Sequence, residues 1–193
     1  MNVRITISGL PGSGTTTVAK LLSQELALKL LSAGDMFRQI AAEKKLPLAE
    51  FNRLAENSDA FDRGIDEKQG EEAMRRDNVI VEGRLSGFFV PRADLKIWLK
   101  APVEVRAKRI AGREGTTYED ALSAMESRER SEHKRYEQYY AINLDDLTLY
   151  DLVIDSSRWN ERGIVEMVKV AISRILFEER RSYKIKNKSA QSV

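Results

Sequence analysis

Residues 9–17, GLPGSGTTT, follow the apolar stretch VRITIS and open a run with helical spacing. A strand, a glycine-rich turn and a helix in that order restrict the chain to folds that hold a phosphate at a strand end. Gly9, Gly12 and Gly14 permit positive φ angles and bring backbone N–H groups close to an anion. With Leu10, Pro11, Ser13, Thr15, Thr16 and Thr17 they form a candidate phosphate-binding loop. The Thr16 hydroxyl is placed to ligate Mg²⁺.

The pattern G-x-x-x-x-G-K-[ST] requires lysine where this chain has Thr15. Phosphoryl transfer rests on positioning and on charge stabilisation, so another cation must face the phosphates. Lys20 lies about 140° round the helix and roughly 7.5 Å further along it, so it points away. Arginines are better placed in number and chemistry. RAKRIAGRE carries Arg106, Arg109 and Arg113, and ESRERSEHKRYE carries Arg128, Arg130 and Arg135. Spacings of three and four put several on one helix face, and guanidinium forks match phosphate oxygens. The interleaved Glu114, Glu126, Glu129 and Glu132 also suit a plain salt-bridged hairpin.

Downstream, apolar strands at 29–34, 78–83, 94–101 and 150–157 alternate with helical stretches at 35–45, 48–57, 62–76, 103–114, 115–141 and 164–179. The expectation is an α/β P-loop fold, a five-stranded parallel sheet flanked by helices. One domain over 1–179 is expected, with residues 180–193 as a flexible basic tail. A weak RNA or membrane contact through that tail is a minor alternative. Thirty-two basic and 30 acidic residues leave a net charge of +2, which gives no case for a nucleic-acid binder. The chain lacks cysteine and has a single histidine, His133, so thiolate chemistry and multi-histidine metal sites are excluded. Without an apolar run long enough to span a bilayer or a signal-peptide pattern, the expected location is the cytoplasm, with no membrane partner.

At these residues the chain resembles the nucleoside monophosphate kinases, most closely the archaeal-type cytidylate kinases, over roughly residues 2–176. SAGDMFR resembles the start of their monophosphate-binding region, which implies Ser32, Gly34 and Arg38 at the acceptor. VEGRLSG resembles their strand-loop segment, with Arg84 facing the acceptor phosphate. Bacterial cytidylate kinases have aspartate after this arginine; here the residue is Leu85. RIAGR resembles the segment that cups ATP, giving Arg109 and Arg113, and RERSEHKR gives Arg128, Glu132 and Arg135. The resemblance implies a helical acceptor-binding insert near 35–77 and a lid near 110–135. It also implies ATP bound by residues 9–17, CMP and dCMP as acceptors, Mg²⁺, a monomer, and catalysis by Arg109, Arg113 and Arg128.

Other residues admit two readings. Arg63 either reaches the acceptor or lies on the surface. Glu82, at a strand end, either orients Mg²⁺-bound water or Arg84, or pairs with a neighbouring arginine. Trp98 reads as core, Trp159 as core or rim in preference to packing near the adenine end of the loop, and Tyr136, Tyr139 and Tyr140 as a packing face in preference to a base-stacking platform. An adenylate-kinase-like enzyme with another acceptor, and a P-loop protein that binds nucleotide without transferring phosphate, remain open.

Overall fold

A computed structural model describes residues 3–47, 50, 51, 54 and 59–190, the side chains of 59–62 and 177–190 excepted. Its elements are β1 (Arg4–Gly9), α1 (Thr15–Leu26), β2 (Lys29–Ser32), α2 (Ala33–Glu43), α3 (Asp59–Met74), β3 (Val79–Glu82), α4 (Ser86–Phe89), β4 (Leu95–Lys100), α5 (Val103–Glu114), α6 (Tyr118–Tyr140), β5 (Leu152–Asp155) and α7 (Glu161–Ala190). The five strands form a parallel sheet in the order β2-β3-β1-β4-β5. The first strand is therefore central, and the loop that follows it opens in the crevice at the carboxyl ends of the strands, where such sheets bind ligands.

Alternation along each strand sends apolar side chains to both faces. Ile5, Ile7, Ile80, Ile97 and Leu99 pack against Val18 and Leu22 of α1 and Ile164 and Val168 of α7. Leu31, Val79 and Val81 pack on the opposite face against Ala73 of α3. Trp98 is core, as expected, and joins Leu85, Tyr136 and Tyr150 beneath α4 and α6. Burying each such side chain contributes about 1.5–3 kcal/mol. Leu85 is fully buried and faces this core.

Several element boundaries differ from the sequence reading. α1 stops at Leu26 because Ala27 turns left-handed, with φ 52°. The short helix α4 was not expected; four residues carry too little periodicity to read. The helix expected over 48–57 lies largely outside the described residues. The segment expected to be a flexible tail from residue 180 is helical backbone as far as Ala190, a continuation of α7. Trp159, expected in the core or at its rim, is 55% exposed.

The loop after β1 is tightly seated. Gly12 has φ +78°, and a Cβ there would lie 2.6 Å from the Arg106 carbonyl oxygen in α5. Gly12→Ala therefore meets both a left-handed backbone and an overlap with main chain. It is expected to destabilise by at least about 1–3 kcal/mol, measurable by thermal unfolding.

Candidate active site

Positive φ at Gly12 (78°) and Gly14 (94°) bends the chain between β1 and α1 into a nest. The Ser13 N–H donates to the Leu10 carbonyl at 3.1 Å and closes the turn. Gly14 caps α1 without a side-chain hydrogen bond, so the N–H groups of the first helical turn are left for an anion. Thr15 does not present its hydroxyl to this nest. It is only 7% exposed, and its Oγ1 donates to Glu82 Oε1 at 2.7 Å. Thr16 Oγ1 donates to the same oxygen at 3.1 Å. Lys20 is exposed, in keeping with its predicted direction.

Arginines surround the loop. Arg106, barely exposed, donates to the Pro11 carbonyl at 3.1 Å and is paired through both terminal nitrogens with Glu129 of α6. It is a strut between loop, α5 and α6. Arg109 stands one turn on, its Nη1 donating to Ser156 Oγ at 2.9 Å and to the Gly12 carbonyl at 3.3 Å, its Nη2 to the Ser156 carbonyl at 2.8 Å. Ser156 in turn donates to the Ser13 carbonyl at 2.7 Å. Arg109 therefore lies beside the loop, 3.9 Å from where a Gly14 side chain would begin. Arg113 is exposed and pairs with its neighbour Glu114 at 2.6 Å.

A second group joins β3 to α6. Arg84 donates through Nε to Glu132 Oε2 at 2.9 Å and through Nη1 to the Gly9 carbonyl. Arg128 donates through Nε to Glu132 Oε1 at 2.7 Å. Glu132 was expected to touch the acceptor; it is instead buried with both oxygens engaged by guanidinium groups. Burial opposes its charge, but Arg84 and Arg128 outweigh that and hold the carboxyl down at about 2. Arg135 donates to Ser131 on the same helix.

The remaining acceptor candidates lie on or near α2 and α3. Ser32 donates to Glu82 Oε2 at 2.7 Å and accepts from the Asp35 N–H at 3.4 Å, capping α2. Arg38 pairs with Asp35 and lies beside Gly34. Arg63 extends from α3 to α6, 5.5 Å over the Tyr140 ring and 3.5 Å from the Tyr139 carbonyl. Of the tyrosines expected to form a packing face, Tyr136 is buried and Tyr139 is 38% exposed.

Glu82 does not orient Arg84, one of the roles read for it; its oxygens take hydroxyls from Thr15, Thr16 and Ser32. Gln69 and Ser156 also belong to this framework, and Arg106, one of the arginines offered by the sequence to face phosphate, is engaged by Pro11 and Glu129 instead. Gln69, 1% exposed in a strongly charged helix, donates to the Leu31 and Glu82 carbonyls at 3.0 and 2.9 Å. No local signal marks a glutamine for such a place. Arg106 was visible as a member of the arginine cluster, but periodicity cannot tell a strut from a ligand.

Residues 4–158 match the model of the cytidylate kinase-like family. A cytidylate kinase of Methanococcoides burtonii is 51% identical over 168 residues, 87% of this chain and 95% of that protein. One from Archaeoglobus fulgidus is 49% identical over 170 residues, 88% and 94% of the two chains. Among solved structures, the shikimate kinase of Bacteroides thetaiotaomicron superposes with a TM-score of 0.62 at 16% identity, over 90% of this chain and 99% of that one. That last likeness concerns the fold alone.

Proposed function

The chain belongs to the cytidylate kinase-like family, and from that premise we propose that it transfers the γ-phosphoryl group of ATP to CMP, giving ADP and CDP. Supporting this reading above all is Arg84, which links the first residue of the phosphate loop to the arginine-bearing helix α6. It stands between the donor loop and α6, where a transferring phosphate would meet its guanidinium. We extend the acceptors to dCMP, and place the protein as a monomer in the cytoplasm. Among the described residues no helix is long and apolar enough to cross a membrane.

The donor phosphates sit in the nest of residues 9–17, held by backbone N–H groups and the positive end of α1. Arg109 is the cation beside that nest. Arg113 and Arg128, exposed at rest, supply charge when the lid near 110–135 closes and excludes water. Arg38, Arg63, Arg84 and Arg135, with Ser32 and Gly34, hold CMP in the insert near 35–77. Glu132 acts through Arg84 and Arg128 rather than on the substrate. The acceptor phosphate oxygen is already ionised, so no strong general base and no covalent intermediate is needed.

Thr16 Oγ1, at the start of α1, is a hard oxygen that fits Mg²⁺, which takes few protein ligands and completes its shell with phosphates and water; Glu82 Oε1 accepts from that hydroxyl at 3.1 Å. When bound it neutralises charge developing on the phosphates. No cluster of three or more His, Cys, Asp or Glu able to hold a metal ion occurs among the described residues.

The test is CDP formation from CMP and Mg·ATP, beside AMP and UMP as rival acceptors. CMP should be preferred. Alanine at Arg109, Arg113 and Arg128 in turn should each lower kcat by about tenfold or more, about 1.4 kcal/mol per tenfold. Full activity in all three variants would mean that these arginines do not stand in for the missing lysine.

A further inference from the structure

β3 lies between β2 and β1, with Glu82 in register with Ser32 on one side and Ile7 on the other. Its carboxylate therefore ends up between the root of α2 and the start of α1. Oε2 accepts from Ser32 on the acceptor side, and Oε1 accepts from Thr15 and Thr16 on the donor side. Glu82 itself is 6% exposed and Ser32 3%. The backbone is fixed as well. Gln69 holds the Leu31 and Glu82 carbonyls together, and a Cβ on Gly83 would come within 2.9 Å of the Ala33 methyl.

We propose that Glu82 is a positioning residue for the transfer, setting the acceptor-binding helix against the donor-phosphate loop through the hydroxyls of Ser32 and Thr15. On this reading, which rests on the kinase function above, position 15 serves Glu82 and not the phosphates. Threonine is there because a short buried hydroxyl can donate to a carboxylate 2.7 Å away. A lysine would send a long cation toward that carboxylate, disturbing the spacing instead of restoring a phosphate ligand. The expected consequence is kinetic, because in-line transfer is sensitive to small misplacement of the two nucleotides even when each still binds.

The experiment compares kcat and both KM values, with CMP and Mg·ATP, for the unchanged chain, T15V, T15S, T15K, E82Q and T15V/E82Q. Thermal unfolding of each variant accompanies the kinetics. T15V keeps the shape and loses the hydroxyl; T15S loses a methyl and keeps it. T15V, T15K and E82Q should each lose at least about tenfold in kcat, with KM values within about threefold. T15S should recover most of the rate. The double variant should be no worse than about threefold below E82Q, because both changes break one link. A T15V enzyme with unchanged kcat, a T15K enzyme faster than the unchanged chain, or strictly multiplicative losses would overturn the proposal while leaving the kinase function standing. No CDP from the unchanged chain would overturn both.

Discussion

Arg84→Ala is expected to lower kcat/KM for CMP by about 10²- to 10³-fold, a loss of about 3–4 kcal/mol in transition-state stabilisation. Two contacts carry this expectation. Arg84 donates to the Gly9 carbonyl at the base of the phosphate loop, and to Glu132 on α6. Truncation removes a largely buried guanidinium from beside the donor site and releases the loop from the helix that carries Arg128. Arg84→Lys should recover little, because an ammonium cannot reproduce a fork that spans a carbonyl and a carboxylate. Steady-state kinetics with CMP varied at saturating ATP would check both. A lysine variant within threefold of the unchanged enzyme would show that only the charge matters there.

The second large effect is on stability. Glu132→Ala strips the largely buried Arg84 of its carboxylate partner, and breaking a buried pair in that way costs about 3–5 kcal/mol, while the exposed Arg128 adds little. For a chain of 193 residues that lowers Tm by roughly 6–20 °C. The pH dependence has a definite sign. The Glu132 carboxyl sits at about 2 in the folded protein, below its ordinary value of 4.5. Its stabilisation is fully present above pH 4.5 and is lost as the pH falls from there toward 2. The contribution at neutral pH is on the order of 3 kcal/mol. Urea unfolding at pH 6 and at pH 3 should show the unchanged chain losing more stability than Glu132→Gln, which has no proton to take up at that position. Equal losses in the two proteins would mean that the carboxylate carries no net stabilisation.

Much of the architecture could be read locally. VRITIS, NVIVEG and DLKIWLKA announce strands buried on both faces, and Val103–Glu114 was bounded by Pro102 and Gly115 before and after. The loop at 9–17 was legible because positive φ demands glycine, and two of its three glycines have it. The arginine cluster was legible as a cluster, but its members divide. Arg106 is a buried strut, Arg109 lies at the loop, and Arg113 pairs at the surface, although all three sit on one helix at spacings of three and four. Which neighbour each guanidinium meets depends on the placement of α6 and of the β5–α7 turn. Glu132 shows the same limit: the pattern pointed to this acid, but that both its oxygens are taken by Arg84 and Arg128 could not be read from it.

Legible in the residues alone were a phosphate-type loop without its lysine, an alternating α/β frame and a cluster of arginines downstream. Those features follow from short-range physics: glycine's access to positive φ, and the periods of two and 3.6 that separate strand from helix. What Thr15 touches depends on the tertiary structure. Its partner is Glu82, 67 residues away in the chain. They meet because β3 inserts between β2 and β1, an order set by how the whole sheet buries its two faces. No pattern within either segment encodes that meeting.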